Sequence, residues 1–262
     1  MPGTEARQLD DLRWLGLDWD EGPDVGGASA PYRQSERRAH YEAALDALAR
    51  RDLTYLCDCS RAEIARIASA PHAGEEGPRY PGTCRDLGMR PRAWKRPPAV
   101  RLRVPPGGIA IDDALQGRLV QDVAQAVGDF VLRRGDGMFA YQLAVVVDDL
   151  AMGVGEVVRG ADLLSSAPRQ ALLARLLGGT PPRWAHVPLV VAADGSRLAK
   201  RAPGVTLRDH RDAGASAAHL VDGLARLLGL ARGGSLAAML ATFDRSVLSG
   251  RATVRLPLGG LG

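Results

Sequence analysis

The chain of 262 residues contains only three cysteines, and all three fall where chemistry could use them. Cys57 and Cys59 form a Cys-x-Cys pair, and Cys84 closes the run RYPGTC. Thiolates are preferred ligands of zinc, which takes four groups in a tetrahedron. The segment between the cysteines is rich in Gly and Pro and has little apolar content of its own, a setting in which a metal staple helps folding most. Three sulfurs leave one place vacant. Two candidates lie between them, His72 and Tyr80. Imidazole is the commoner zinc ligand, whereas Tyr80 stands one turn from Cys84. The alternative is three unlinked buried thiols.

A second constellation is DGSRLAKRAPG, residues 194–204, where Arg197, Lys200 and Arg201 fall within five residues, bracketed by Gly195 and Pro203-Gly204. Of 34 cationic side chains only Lys95 and Lys200 are lysines. Where the chain merely needs positive charge it uses arginine, so a lysine at 200 stands out. An ammonium is a compact, mobile point charge that can follow a phosphate, unlike the rigid guanidinium fork. A solvated basic loop is the plain alternative. Asp148-Asp149 could suggest a carboxylate pair, but neighbours on a helix point about 100° apart, which favours a capping or surface role. His186, before Pro188, reads as a core histidine.

These residues need positioning elements. Residues 5–15 have helical apolar spacing, with Leu9, Leu12, Trp14 and Leu15. Ser35 is the expected cap of a helix running to Arg51, with Tyr41, Ala44, Leu45 and Leu48 on one face. Residues 53–56, 99–104, 129–134, 155–159 and 186–191 read as strands, the second half-exposed because Arg alternates with apolar residues. FAYQLAVVVDDLAMG fits strand by its valines and helix by its length. Residues 162–177 read as a helix, and the C-terminal part is helical and rich in small residues. The Gly-Gly pairs at 107–108 and 178–179 read as turns. Alternating strands and helices imply an α/β domain with a parallel sheet. No run of about 18 apolar residues exists to span a membrane, and an odd cysteine count argues against a disulfide framework and for a reduced, cytoplasmic setting. A net charge of +4 permits a nucleic-acid partner without demonstrating one.

Six blocks, YRQSERRAHYEAAL, LTYLCDC, RYPGTCR, FAYQLAVVVDD, GEVVRGADLL and GSRLAKR, occur in order. Together they resemble the catalytic domain of the glutamyl-tRNA synthetases, a class I aminoacyl-tRNA synthetase family, over residues 2–230. The likeness is closest to their shorter branch, the glutamyl-queuosine tRNA(Asp) synthetases. Only about 60 residues follow GSRLAKR, too few for the anticodon-binding region of the longer branch. The resemblance implies a Rossmann-like parallel sheet with a zinc-bearing insertion at about 55–98, within a catalytic domain over 1–210, followed by a helical segment over 211–262. It implies activation of glutamate by ATP with magnesium, and transfer to the queuosine base at the wobble position of tRNA(Asp), by a cytoplasmic monomer. Residue by residue, Arg197, Leu198, Ala199, Lys200 and Arg201 match the signature loop that contacts ATP, with Lys200 as its catalytic lysine. Arg197 and Ala199 replace the usual Lys and Ser. Tyr141 and Arg159 match glutamate-binding positions, which suits a guanidinium that can fork onto a carboxylate. Cys57, Cys59, Tyr80 and Cys84 match the family's zinc ligands, which favours Tyr80 over His72.

The resemblance also implies a first strand, a His-x-Gly-His-type turn and a helix, with the turn binding triphosphate at the helix N-terminus. No such pattern occurs in these 262 residues. The expectation is a chain of low activity and low stability with bared sheet edges, through a start further upstream, a degenerate relative or a fragment. Two competing expectations are a non-catalytic zinc-bearing tRNA-binding module and a piece of a glutamyl-tRNA synthetase.

Overall fold

The computed structural model describes residues 3–67, 78–198, 206–230 and 235–256. His72 and the loop residues Ala199, Lys200 and Arg201 lie outside the described residues.

Helix α1 (Thr4–Trp14) buries none of its residues and is held by surface ion pairs, Glu5 with Arg33 and Asp10 with Arg208. Helix α2 (Arg38–Arg50) buries the expected stripe, Tyr41, Leu45 and Leu48. Its start differs from the expectation. Ser35 makes no capping bond and sits in a single 3-10 turn, Gln34–Glu36. The backbone leaves helical geometry at Arg37 (φ −103°, ψ 14°), whose side chain turns inward to a buried partner described below.

Strands β1 (Thr54–Cys57), β2 (Ala99–Leu102) and β5 (Val131–Arg133) form an antiparallel sheet in the order β1-β2-β5. The central strand is not half-exposed as its alternating arginine suggested, because Val100, Arg101 and Leu102 are all buried. Arg101 is accommodated because its guanidinium lies 3.9 Å from the Tyr80 ring centre and donates to the Asp129 carbonyl. Helix α3 (Arg61–Ile67) follows β1 on the insertion.

A second sheet has the order β4-β3-β7-β6, built from β3 (Gly108–Asp113), β4 (Gly117–Asp122), β6 (Glu156–Gly160) and β7 (Arg183–Val187). Strands β3, β7 and β6 run parallel, and β4 is antiparallel to β3. The α/β class therefore holds, with mixed sheets in place of one all-parallel sheet. The β3–β4 hairpin was not anticipated, although Ile109 and Ile111 alternate with polar or small neighbours. Gly108, read as part of a turn, opens β3, and the turn itself is completed by Gly117 at φ +78°.

Helix α4 (Val123–Ala126) is capped by Asp122. The ambiguous FAYQLAVVVDDLAMG segment forms a helix, α5 (Tyr141–Ala151). Its valines disfavour helix only slightly, and burial against α2, β5 and α6 (Ala167–Leu176) decides the matter. These elements share the main apolar core, which includes Tyr41, Leu102, Leu132, Leu143 and Leu173. The expected helix over 162–177 begins as a 3-10 segment, Ala161–Ser166, before Pro168 enters the first turn of α6. The expected strand over 186–191 is split at Pro188, which lacks a backbone donor, into β7 and β8 (Leu189–Val191). Three capped helices follow, α7 (Leu207–Asp212), α8 (Ala217–Leu228) and α9 (Leu236–Ala241), with Thr206, Ser216 and Ser235 as their caps. Strand β9 (Thr253–Arg255) returns to pair in parallel with β8. Among the described residues no helix is long and apolar enough to cross a membrane.

Candidate functional site

Alternation along an extended chain sends residues i and i+2 to one side. Cys57 ends β1 and Cys59 continues that line, so both thiols face the loop that carries Tyr80 and Cys84. The three sulfurs lie within 4.8 Å of one another. Cys59 Sγ is 3.6 Å from Cys84 Sγ, and the Tyr80 hydroxyl is 3.3 Å from Cys57 Sγ and 4.0 Å from Cys59 Sγ. A tetrahedral zinc with bonds of about 2.3 Å to sulfur places its sulfur ligands about 3.8 Å apart. The four groups fit that ion. Tyr80 is in place because its hydroxyl accepts the Cys84 N–H at 2.9 Å and its own N–H donates to the Val127 carbonyl at 3.2 Å. The chain at Gly128 makes this approach possible: its φ is +75°, and a Cβ there would stand 2.6 Å from the Tyr80 carbonyl oxygen.

Burial and mutual repulsion set the ionisation of these donors. Burial, then the charge of Cys57, pushes the Cys59 thiol up to about 12. Burial and the Cys57 contact likewise raise the Tyr80 phenol. Burial also opposes ionisation of Cys57, but the Tyr80 hydrogen bond, the Cys59 backbone and Arg101 outweigh it and lower the thiol. Arg101, stacked on Tyr80, is thus a cation beside a set of four potential anions. Asp58, between the two cysteines, fastens the insertion by accepting the Lys95 backbone N–H at 3.0 Å.

The second group of candidate residues lies where the parallel strands end. In open α/β sheets ligands gather beyond the carboxyl ends of the strands. Arg159 is near the end of β6 and opposite His186 of β7, Asp113 ends β3, and Tyr141 is the first residue of α5. Tyr141 and Arg159 are brought together, the phenol in polar contact with the guanidinium. Tyr141 is 47% exposed, so the pair opens to solvent. Arg159 donates from Nε to His186 Nε2 at 3.0 Å and from Nη2 to the Leu163 carbonyl at 3.2 Å. Burial works against its charge and lowers its pKa, with Tyr141, Asp149 and Asp113 opposing that shift.

Asp148-Asp149 does not have the surface or capping role read from the sequence. Asp148 is buried. Its carboxylate accepts from Arg37 Nε at 2.6 Å, from the Tyr41 hydroxyl at 2.9 and 3.0 Å, and from Gln34 Nε2 at 2.9 Å. Asp149 faces the Arg159 side. Burial pushes its carboxyl up to about 6, against the pull of Arg159 and with help from Asp148. His186 is fully buried, as a core histidine would be, but both ring nitrogens have polar partners. Asp113 was not singled out in the sequence. The Ile-Ala-Ile-Asp-Asp alternation was a usable signal for a strand ending in a carboxylate.

Of the five signature-loop residues, Arg197 and Leu198 are described. Arg197 bridges back to Val191, across a turn in which Asp194 accepts the Ser196 N–H at 2.8 Å and Gly195 takes φ +86°. The loop therefore departs from the end of β8, beyond the carboxyl end of β7.

Known proteins resemble this chain over most of its length. The family model for class I tRNA synthetases (E and Q), catalytic domain, matches residues 1–242. A glutamyl-Q tRNA(Asp) synthetase of Nitratidesulfovibrio vulgaris is 54% identical over 224 residues, covering 84% of this chain and 69% of that protein. One of Symbiobacterium thermophilum is 50% identical over 234 residues, with 87% and 72% covered. The crystal structure of glutamate-tRNA synthetase from Elizabethkingia anophelis matches with a TM-score of 0.77 at 25% identity, covering 100% of this chain and 59% of that one. The chain thus spans less than two thirds of that solved structure.

Proposed function

This chain belongs to the class I tRNA synthetases of the E and Q type, within their glutamyl-Q tRNA(Asp) branch, and from that premise we propose that it activates glutamate with ATP and transfers it to the queuosine base of tRNA(Asp). In the first step a glutamate carboxylate oxygen attacks the α-phosphorus of ATP, the bond to the β-phosphate oxygen breaks, and pyrophosphate leaves. In the second a nucleophile on the queuosine base attacks the acyl carbon and AMP departs.

Arg159 and Tyr141 hold the amino acid. A guanidinium pinned at Nε by His186 and by one Nη2 proton on the Leu163 carbonyl still has Nη protons to donate to a carboxylate in charge-assisted bonds. Lys200, with Arg197, Leu198, Ala199 and Arg201, grips the triphosphate and stabilises charge that develops on the departing pyrophosphate. Cys57, Cys59, Tyr80 and Cys84 hold a zinc ion, which staples the insertion and draws the four ligands together. The protein works as a soluble cytoplasmic monomer with tRNA(Asp) as its macromolecular substrate.

The observation that carries this reading is the Tyr141–Arg159 pair at the carboxyl end of β6, next to the departure of the basic loop. Glutamate-dependent exchange of labelled pyrophosphate into ATP tests the first step, alongside glutamate binding by calorimetry. The expected result is exchange with glutamate but not with glutamine or aspartate, abolished in Lys200→Ala and weak for these 262 residues, which contain no His-x-Gly-His-type turn. Absence of both glutamate binding and exchange would overturn the reading. Acylation of queuosine-containing tRNA(Asp), compared with the same tRNA lacking queuosine, tests the second. Labelling that survives oxidation of the tRNA 3′ end and requires queuosine is expected, and labelling confined to the 3′ end refutes the queuosine step.

A further inference from the structure

Arg159 has an unusual anchor. Charged arginines near ligands are commonly held by carboxylates, which satisfy the guanidinium and also neutralise it. Here the anchor is the neutral face of an imidazole. A guanidinium cannot be deprotonated at ordinary pH and only donates, so His186 Nε2, 3.0 Å from Arg159 Nε, must be the bare, accepting nitrogen. The ring proton is therefore on Nδ1, and Nδ1 donates to Asp113 Oδ2 at 2.5 Å. The tautomer is fixed from both sides.

Asp113 is itself immobilised. Its Oδ1 accepts the backbone N–H groups of Leu115 at 3.0 Å, Gln116 at 2.9 Å and His186 at 3.1 Å. Burial opposes its ionisation, but the His186 bond and these backbone donors hold its carboxyl below the usual range. Asp113, His186 and Arg159 come from the ends of three neighbouring parallel strands, β3, β7 and β6. The fold itself sets their spacing.

We propose that Asp113 and His186 are positioning residues for glutamate: the buried Asp113–His186 pair fixes the Nδ1–H tautomer, and the bare Nε2 aims the Arg159 guanidinium at the ligand carboxylate. Placing an imidazole between the aspartate and the arginine transmits orientation while keeping the negative charge one ring away. Arg159 is thereby oriented without being neutralised, and its remaining charge stays available to an anion. Two other groups face the guanidinium, the Tyr141 phenol and the Asp149 carboxyl. His186 is the partner placed on Nε. The inference rests on Arg159 being a glutamate ligand, as proposed above.

Asp113→Asn is the decisive variant because it is isosteric. Its amide oxygen can keep the three backbone bonds, while its NH₂ group donates to Nδ1 and forces the ring proton onto Nε2. That proton then meets the Arg159 N–H, donor against donor. An aspartate-to-asparagine change beside a functional histidine is known to disable by this tautomer switch. His186→Gln places an amide near the Nε2 position and can restore an acceptor, whereas His186→Phe cannot.

The experiment combines nitrogen-15 NMR of the histidine rings with calorimetry of glutamate and of ATP on the whole chain. The wild-type protein is expected to show His186 as the Nδ1–H tautomer, and Asp113→Asn the Nε2–H tautomer. Glutamate affinity should fall by about 10–100-fold in Asp113→Asn and His186→Phe, the range found when partners behind a ligating histidine are removed. His186→Gln should recover part of it, and ATP affinity should be unchanged in all variants. A wild-type Nε2–H tautomer, or undiminished glutamate affinity in Asp113→Asn, overturns the inference. So does an equal loss of glutamate and ATP affinity, which marks a merely structural role. Wild-type protein that neither binds glutamate nor supports glutamate-dependent exchange overturns the functional reading and this inference together, and only that outcome reaches both.

Discussion

Replacing Arg37 by Met tests how firmly α5, and with it Tyr141, is fixed. Arg37 is 2% exposed, and its Nε meets Asp148 at 2.6 Å. Its Nη1 also donates to the carbonyls of Ser29 at 3.2 Å and Pro31 at 2.8 Å. Met fills much of the same volume, so the cavity contribution is small. What remains is a buried carboxylate served only by the Tyr41 hydroxyl and Gln34 amide. Removing one partner of a buried ion pair costs about 3–5 kcal/mol, chiefly through the stranded charge. The two freed carbonyls are partly buried and within reach of water, adding little. A loss of about 4 kcal/mol is expected, a large fraction of the roughly 5–15 kcal/mol that stabilises a folded domain. Urea unfolding followed by circular dichroism and tryptophan fluorescence measures it. The double variant Arg37→Met/Asp148→Leu removes both charges and should regain most of the loss. If the single variant loses less than about 1 kcal/mol, or the double variant is no better than the single, the stranded-charge argument fails.

Three further outcomes follow from the site. Tyr80→Phe, purified without chelator, should hold less than half an equivalent of zinc while His72→Ala keeps its metal; full zinc in the phenylalanine variant removes Tyr80 from the ligand set. Gly128→Ala drives a Cβ to 2.6 Å from the Tyr80 carbonyl oxygen at a φ of +75°, whereas Gly137→Ala has φ +85° and open space. The first should lose at least about 2 kcal/mol and weaken metal retention, the second only about 1 kcal/mol, as read by thermal melts and chelator competition; equal losses would contradict the close approach. Asp149 has a folded-state pKa raised from 3.8 to about 6, so its contribution is fullest below pH 4 and is lost as pH rises through 6. Each unit is about 1.4 kcal/mol, and solvent screening of this partly exposed carboxyl reduces the sum to about 1 kcal/mol. Asp149→Asn should therefore raise the melting temperature at pH 7.5 and leave it unchanged at pH 4, and a lower melting temperature at pH 7.5 refutes the assignment.

Much of this architecture was legible because it depends on local pattern. The stripe of α2, the extended segments around Cys57 and Arg159, and the breaks at Gly and Pro all follow from neighbouring residues. The cysteine cluster was legible because its donors are rare in this chain and their types suit one ion. What escaped depends on partners far along the chain. Ser35 has the chemistry of a cap, yet the helix starts later because Arg37 is drawn 111 residues away to Asp148. Asp148 read as a surface group for the same reason, since nothing adjacent reveals its cation. Valines at 145–147 suit a strand by propensity, and only burial against three elements makes them helical. His186 read as core packing because its two polar partners lie 73 and 27 residues away.

The short pairing of β8 with β9 ties residues 253–255 to the base of the basic loop. Strand β8 has three residues, and its sheet partner among the described residues is β9. Leu189 donates to the Ala252 carbonyl at 2.9 Å and Leu256 to the Val191 carbonyl at 2.8 Å, while Val191 and Val254 are both buried. The base of the basic loop is thus splinted by residues 252–256. Trimming the chain before residue 252 would unmoor that loop at its root, so residues 253–255 act as its foundation although they lie more than fifty positions further along the chain.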